Sequence, residues 1–96
     1  MGKFSVFETV YLIKQSRVAA HVFEAQIGSI SISEDGFRYN IWRDALPVGC
    51  PESDYAHLAE PHTVEEVVLE SDLFASYVKA QEAADLLNEH LRQMLA

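Results

Sequence analysis

The chain has 96 residues, 49% of them apolar and 23% charged, and its seven Lys and Arg against 15 Asp and Glu give a net charge of −8. That length holds one domain with a core of its own and leaves no room for a second, and the composition is not that of a disordered chain or a linker. The lone Cys50 excludes an internal disulfide, and the apolar run Val10-Tyr11-Leu12-Ile13 is far too short for a membrane span or signal core, so a cytoplasmic protein is expected.

Taken in chain order, Ser5-Val6-Phe7-Glu8 has the form of a capping box. After it Phe7, Val10, Tyr11, Val18, Val22 and Ala25 fall on one side of a 3.6-residue spiral. Gly28 follows where a left-handed C-cap is wanted, so the pattern predicts a helix over 5–27. Thr9 to Ile13 is rich in strand formers and supports a competing strand reading.

Ser29 to Ser33 alternates strictly, and so does Phe37 to Arg43, with Glu34-Asp35-Gly36 as the turn between them. Phe37, Tyr39 and Ile41 share one face of this hairpin, and Arg38, Asn40 and Trp42 the other. Asp44 to Pro47 suggests a further turn into a short third strand near Val48–Cys50, and Pro51 and Pro61 bracket a stretch read as loop.

Thr63-Val64-Glu65-Glu66 is a second capping box, opening a helical segment to about Glu70 that Ser71-Asp72 continues or restarts. From there to the C-terminus no Gly or Pro intervenes and the composition favours helix. The expected fold is therefore α+β: an N-terminal helix, an antiparallel β-hairpin or three-stranded meander, and a helical C-terminal half.

Leu73, Tyr77, Ala80, Ala84, Leu87, Leu91 and Met94 follow a 4-3 spacing over three heptads. Such a stripe either covers the hairpin within one protomer or pairs with its twin in a homodimer.

For chemistry, Cys50, Asp54, His57 and His62 are metal-ligand and thiol-catalysis residue types, but the two histidines are five apart and only one thiol is present. No phosphate-cradling glycine motif occurs, and Glu65 and Glu66 are adjacent where a helix dipole would favour them. His21 and His90 are expected at the surface. No cofactor or metal and no enzymatic activity are therefore expected.

Charge is the informative feature. Residues 1–43 carry a net charge of +1 and residues 44–96 one of −9, and between Asp44 and Val78 eight carboxylates meet no Lys or Arg. Phosphate backbones and anionic lipids repel such a surface, so direct nucleic-acid and membrane binding are not expected, whereas a basic protein or nucleoprotein complex is an expected partner. The candidate contacts are Glu65, Glu66, Glu70 and Asp72 in one cluster and Glu82, Asp85 and Glu89 in a helical row. Glu52, Asp54 and Glu60 form a third acidic cluster. Trp42, with Arg38 and Asn40, has the makeup of an interface anchor. By analogy of size and charge alone, small acidic proteins of phages and mobile elements, such as anti-CRISPR and anti-restriction proteins, act as inhibitors in this way. The alternative is a homodimeric structural or regulatory domain whose acidic surface serves only solubility.

Overall fold

A computed structural model describes residues 3–49 and 63–95. Strands β1 (Thr9–Gln15), β2 (Ala20–Ser33), β3 (Gly36–Asp44) and β4 (Thr63–Leu69) form an antiparallel meander. A 3₁₀ turn, Glu70–Asp72, leads into the two-residue β5 (Leu73–Phe74), which pairs antiparallel with β1, and the chain then enters helix α1 (Tyr77–Leu95). The sheet order is β4-β3-β2-β1-β5.

This order forces the sheet to curl. β4 and β5 are its two edges, four strand spacings apart, which in a flat sheet is roughly 19 Å. Yet only Glu70–Asp72 separate them, and the four Cα steps from Leu69 to Leu73 reach about 14 Å at full extension. The edges must approach across the concave face, and side chains there confirm it: Lys14 of β1 forms an ion pair with Glu66 of β4, two strands removed.

The concave face holds the main core. Val10, Leu12, Phe23, Ala25, Ile27, Tyr39, Ile41 and Leu73 meet there, capped by Phe4, whose ring stands edge-on to that of Tyr39 at 5.6 Å. On the convex face Tyr11, Ile13, Ala20, Val22 and Phe74 receive Ala80, Ala84 and Leu87 of α1. The small alanines let the helix approach closely. Asn88 then closes the contact, its Oδ1 accepting from the Ala20 amide at 2.6 Å and its Nδ2 donating to the Ala20 carbonyl at 3.1 Å.

The expected N-terminal helix over 5–27 does not exist, and the fold is a five-stranded antiparallel sheet with one C-terminal helix in place of a helical C-terminal half. The strand reading of Thr9 to Ile13 is the correct one. β1 is covered on both faces, Val10 and Leu12 by the concave core and Tyr11 and Ile13 by α1. A strand buried on both sides reads as a continuous apolar run, which a helical spiral fits equally well. Gly28 is not a helix cap but the site of a β-bulge, where the β2–β3 register shifts between Ile27 and Ser29.

The hairpin stands as read, with Gly36 at φ 112° in its turn, and Tyr39 and Ile41 fully buried. No strand forms over Val48–Gly49. The second capping box opens β4, not a helix, because Val64, Val67 and Val68 are β-branched and pair with β3. The true helix start is Ser76, whose hydroxyl accepts from the Lys79 amide at 3.1 Å. Leu73 therefore belongs to β5, and the heptad stripe begins at Tyr77. Ala80, Ala84 and Leu91 are buried within the protomer and Leu87 is half-buried against the sheet, whereas Tyr77 and Met94 are exposed. No helix among the described residues is long and apolar enough to cross a membrane.

Candidate functional site

The acidic residues divide by what they touch. Glu66 lies on the concave face between two cations, accepting from Lys14 Nζ and from Arg43 Nε at 3.0 Å. Burial is the largest single influence on its carboxyl and acts upward, but the hydrogen bonds and charges of Lys14 and Arg43 together outweigh it and hold the carboxyl below its ordinary range. Glu70 accepts from the Tyr39 hydroxyl at 2.7 Å and from the Lys3 amide at 3.0 Å, and these bonds also lower its carboxyl. Asp72 caps the 3₁₀ turn by accepting from the Leu69 amide at 3.2 Å. Three of the seven carboxylates expected at an interface are thus engaged in holding the sheet closed.

Glu65, Glu82, Asp85 and Glu89 are exposed, and among the described residues none of them has an ion-pair partner. Asp85 accepts only from the Gln81 amide group, at 2.9 Å. Arg38 is spent on the hairpin tip, bonding Asp35 at 3.2 Å and the Ser33 hydroxyl at 3.1 Å.

Trp42 lies on the convex face, which α1 covers only over β1, the start of β2 and β5. It is 46% exposed. Its indole rests on the bulge: a Cβ at Gly28 would stand 3.0 Å from Nε1, so only glycine leaves the ring room. Beside it opens a cleft of about 240 Å³ lined by Thr9, Glu24, Gln26, Trp42, Asp44 and Thr63. A second cleft of about 280 Å³ shares Glu24 and Asp44 and is walled by Tyr11 and Tyr77, whose rings meet edge-on at 5.9 Å. Glu24 and Asp44 thus stand between two aromatic walls. Glu24 accepts from the Tyr11 hydroxyl at 3.4 Å. Burial first, and the neighbouring Glu24 charge second, push the Asp44 carboxyl above its ordinary range. Neither carboxylate has an ion-pair partner among the described residues.

The turn that precedes β1 is strained. Phe7 has φ 70° and is 75% exposed. A bulky side chain in the left-handed region costs about 1–2 kcal/mol. The backbone holds it there: the Phe7 amide donates to the Ile27 carbonyl at 2.8 Å, and Gln26 Nε2 donates to the Phe7 carbonyl at 3.2 Å. Of the first capping box only the Glu8 half forms, its Oε1 accepting from the Ser5 amide at 3.0 Å, while the Glu8 amide donates to the Ser5 backbone carbonyl at 3.0 Å; the two bonds close this turn ahead of β1 and start no helix. Because Gln26 pairs with Trp42 in the ladder, its side chain links the Phe7 turn to the Trp42 cleft.

The sequence offers Trp42 as an interface anchor and does not single out Phe7, Glu24 or Asp44 for that role. The last two carry a signal in the hairpin register: beyond the final ladder pair, Ala25 with Arg43, the next residues are Glu24 and Asp44, provided Gly28 is counted as a bulge. Phe7 has none, since nothing in its neighbours dictates a positive φ. His21 and His90 are exposed, as read. Cys50, Glu52, Asp54, His57, Glu60 and His62 lie outside the described residues, and among the described residues no three His, Cys, Asp or Glu side chains converge on a metal-sized site. Comparison with protein-family models, with curated proteins and with solved structures finds no match to this chain.

Proposed function

We propose that the chain is a small acidic protein-interaction module that binds a basic, nucleic-acid-handling protein or nucleoprotein complex, as an inhibitor or adaptor. The observation that supports this reading is the division of the carboxylates. Those needed for folding are matched with Lys14, Arg43, Tyr39 and backbone amides, while Glu24, Asp44, Glu65, Glu82, Asp85 and Glu89 have no cation among the described residues. A surface of unmatched negative charge steers basic partners and repels phosphate. It also resembles, in charge alone, the nucleic acid that a basic groove is built to hold.

The test is capture from bacterial lysate with the tagged full chain, washed across a salt series and read by mass spectrometry. A basic nucleic-acid-binding protein that is released as salt approaches about 0.5 M, where exposed charges are screened within a few ångströms, is the expected result. A partner that survives that wash, or one that carries no basic surface, overturns the reading.

A further inference from the structure

The geometry points to the half of the convex face that no described element covers, Trp42 with Glu24 and Asp44 between the clefts and the Phe7 turn tied to them through Gln26, as the docking site for a cationic segment of a second protein, in which Lys or Arg alternates with apolar residues. This rests on the interaction-module reading and replaces its helical row with a different contact surface.

Three independent observations converge on this face. The first is strain. An exposed Phe at φ 70° gains nothing for the fold from its ring, yet four elements of local bonding keep it displayed: the Phe7 amide, the Phe7 carbonyl and the two Ser5–Glu8 bonds. Strained residues over-determined by their surroundings cluster at binding sites. The second is the half-exposed Trp42, seated on a glycine bulge that accommodates its ring, with a cleft beside it. Aromatic anchors of this kind dominate interface energetics. The third is charge. Glu24 and Asp44 face each other from adjacent strands at the partition of two clefts, and no described cation meets them, although Arg43 is Asp44's neighbour in sequence and is turned to Glu66.

A like-charged pair between aromatic walls suits one ligand chemistry. A guanidinium or ammonium group satisfies both carboxylates and lies favourably against Tyr or Trp faces. Apolar residues flanking that cation in an extended segment would reach Phe7 on one side and Tyr77 on the other. The helix row offers no such pocket: Glu82, Asp85 and Glu89 line neither cleft.

Because the chain contains a single Trp, its emission reports the site directly. The probe is a synthetic hexapeptide alternating arginine and leucine, titrated to about 1 mM against the full chain, with a citrulline-for-arginine peptide as control. The expected result is a saturable change in Trp42 emission with the arginine peptide, weakened about tenfold or more with citrulline. The double variant Glu24→Gln with Asp44→Asn weakens binding by a similar factor. Phe7→Gly keeps the turn, since glycine takes a positive φ freely, and weakens binding about fivefold while leaving the far-ultraviolet spectrum unchanged. Replacing Glu82, Asp85 and Glu89 with Lys leaves the affinity within about twofold.

No change in Trp42 emission, or equal binding by the Phe7→Gly chain, overturns the site. If salt-sensitive capture of a basic protein persists while these variants bind normally and the helix triple variant does not, the module reading stands and this site falls. If arginine and citrulline peptides bind alike, this site falls, and the salt-sensitive capture alone decides the module reading.

Discussion

The two faces of the curled sheet treat the same residue types in opposite ways. On the concave face Glu66 and Glu70 are matched: Lys14 and Arg43 share Glu66, Tyr39 donates to Glu70, and the Arg43 guanidinium lies 5.0 Å from the Phe23 ring centre. On the half of the convex face that α1 leaves uncovered, Glu24, Asp44 and Glu65 have no ion-pair partner among the described residues and stand beside a half-exposed Trp42. Folding accounts for the first arrangement completely, because unpaired charge inside a closing sheet would be costly. It does not account for the second, and the proposed docking of a cationic segment would.

Neighbouring residues on β3 give the most severe test of that contrast. Ile41 is fully buried in the concave core, and Ile41→Ala is expected to cost about 2–5 kcal/mol, enough to bring a domain of this size close to unfolding. Trp42, one residue on and facing the other way, is expected to cost about 2 kcal/mol when replaced by Ala, at the low end of that range, since almost half its surface is already in water. Urea unfolding of both variants measures the difference. Equal losses would make Trp42 a core residue and remove it as an anchor.

A smaller effect sharpens the electrostatic side of the comparison. Glu66→Gln leaves Lys14 and Arg43 without their carboxylate and is expected to cost about 1–2 kcal/mol at neutral pH, below the figure for a fully buried pair because Lys14 is 39% exposed. The pH dependence has a definite sign. The Glu66 carboxyl is lowered from 4.5 in the folded chain, so its stabilisation is present above about that value and is lost as pH falls through the lower folded value. Wild type and Glu66→Gln should therefore converge in urea midpoint as pH falls from 4.5 through the lower folded value, and midpoints that stay apart at the acid end would show that the carboxylate charge is not the cause.

Of the concave core only the β3 part, Tyr39 and Ile41, was legible in the sequence, since Val10, Phe23, Ala25 and Ile27 fall in the segment that reads as a helix. The alternation of Phe37 to Arg43 placed Tyr39 and Ile41 inside and Trp42 outside, because β3 has one dry face and one wet face. β1 was ambiguous because both its faces are dry, and β4 misled because Thr63-Val64-Glu65-Glu66 satisfies a capping pattern while its valines satisfy a strand. Local patterns cannot arbitrate there; pairing with β3 does. The acidic surface was legible as a count and not as a site. Glu66 and Glu70 are bonded by groups 23 to 67 residues away in sequence, which no local window reveals, and the pairing of Glu24 with Asp44 depends on a single bulge residue.

That pairing yields the smallest effect and the one most diagnostic of the convex face, because its sign opposes that of Glu66. The Asp44 carboxyl is raised above 3.8 by burial and by Glu24, so the folded chain holds its proton more tightly than the unfolded chain does. A group of that kind favours the folded state at low pH, and its penalty develops as pH rises from 3.8 through the folded value. Asp44→Asn removes the penalty and is expected to stabilise the chain by about half a kcal/mol at pH 7, the scale of a like-charge pair across two strands, and by nothing near pH 3. The backbone carbonyl of Asp44, which accepts from Arg43 Nη1 at 3.1 Å, is untouched by the change. Urea midpoints at the two pH values decide the matter. A gain at neutral pH accompanied by weaker binding of the arginine peptide would mean that this carboxylate is retained at the expense of the fold, for a cation that the chain itself does not supply. A loss at neutral pH would place Asp44 among the matched charges of the concave face and erase the distinction between the two surfaces.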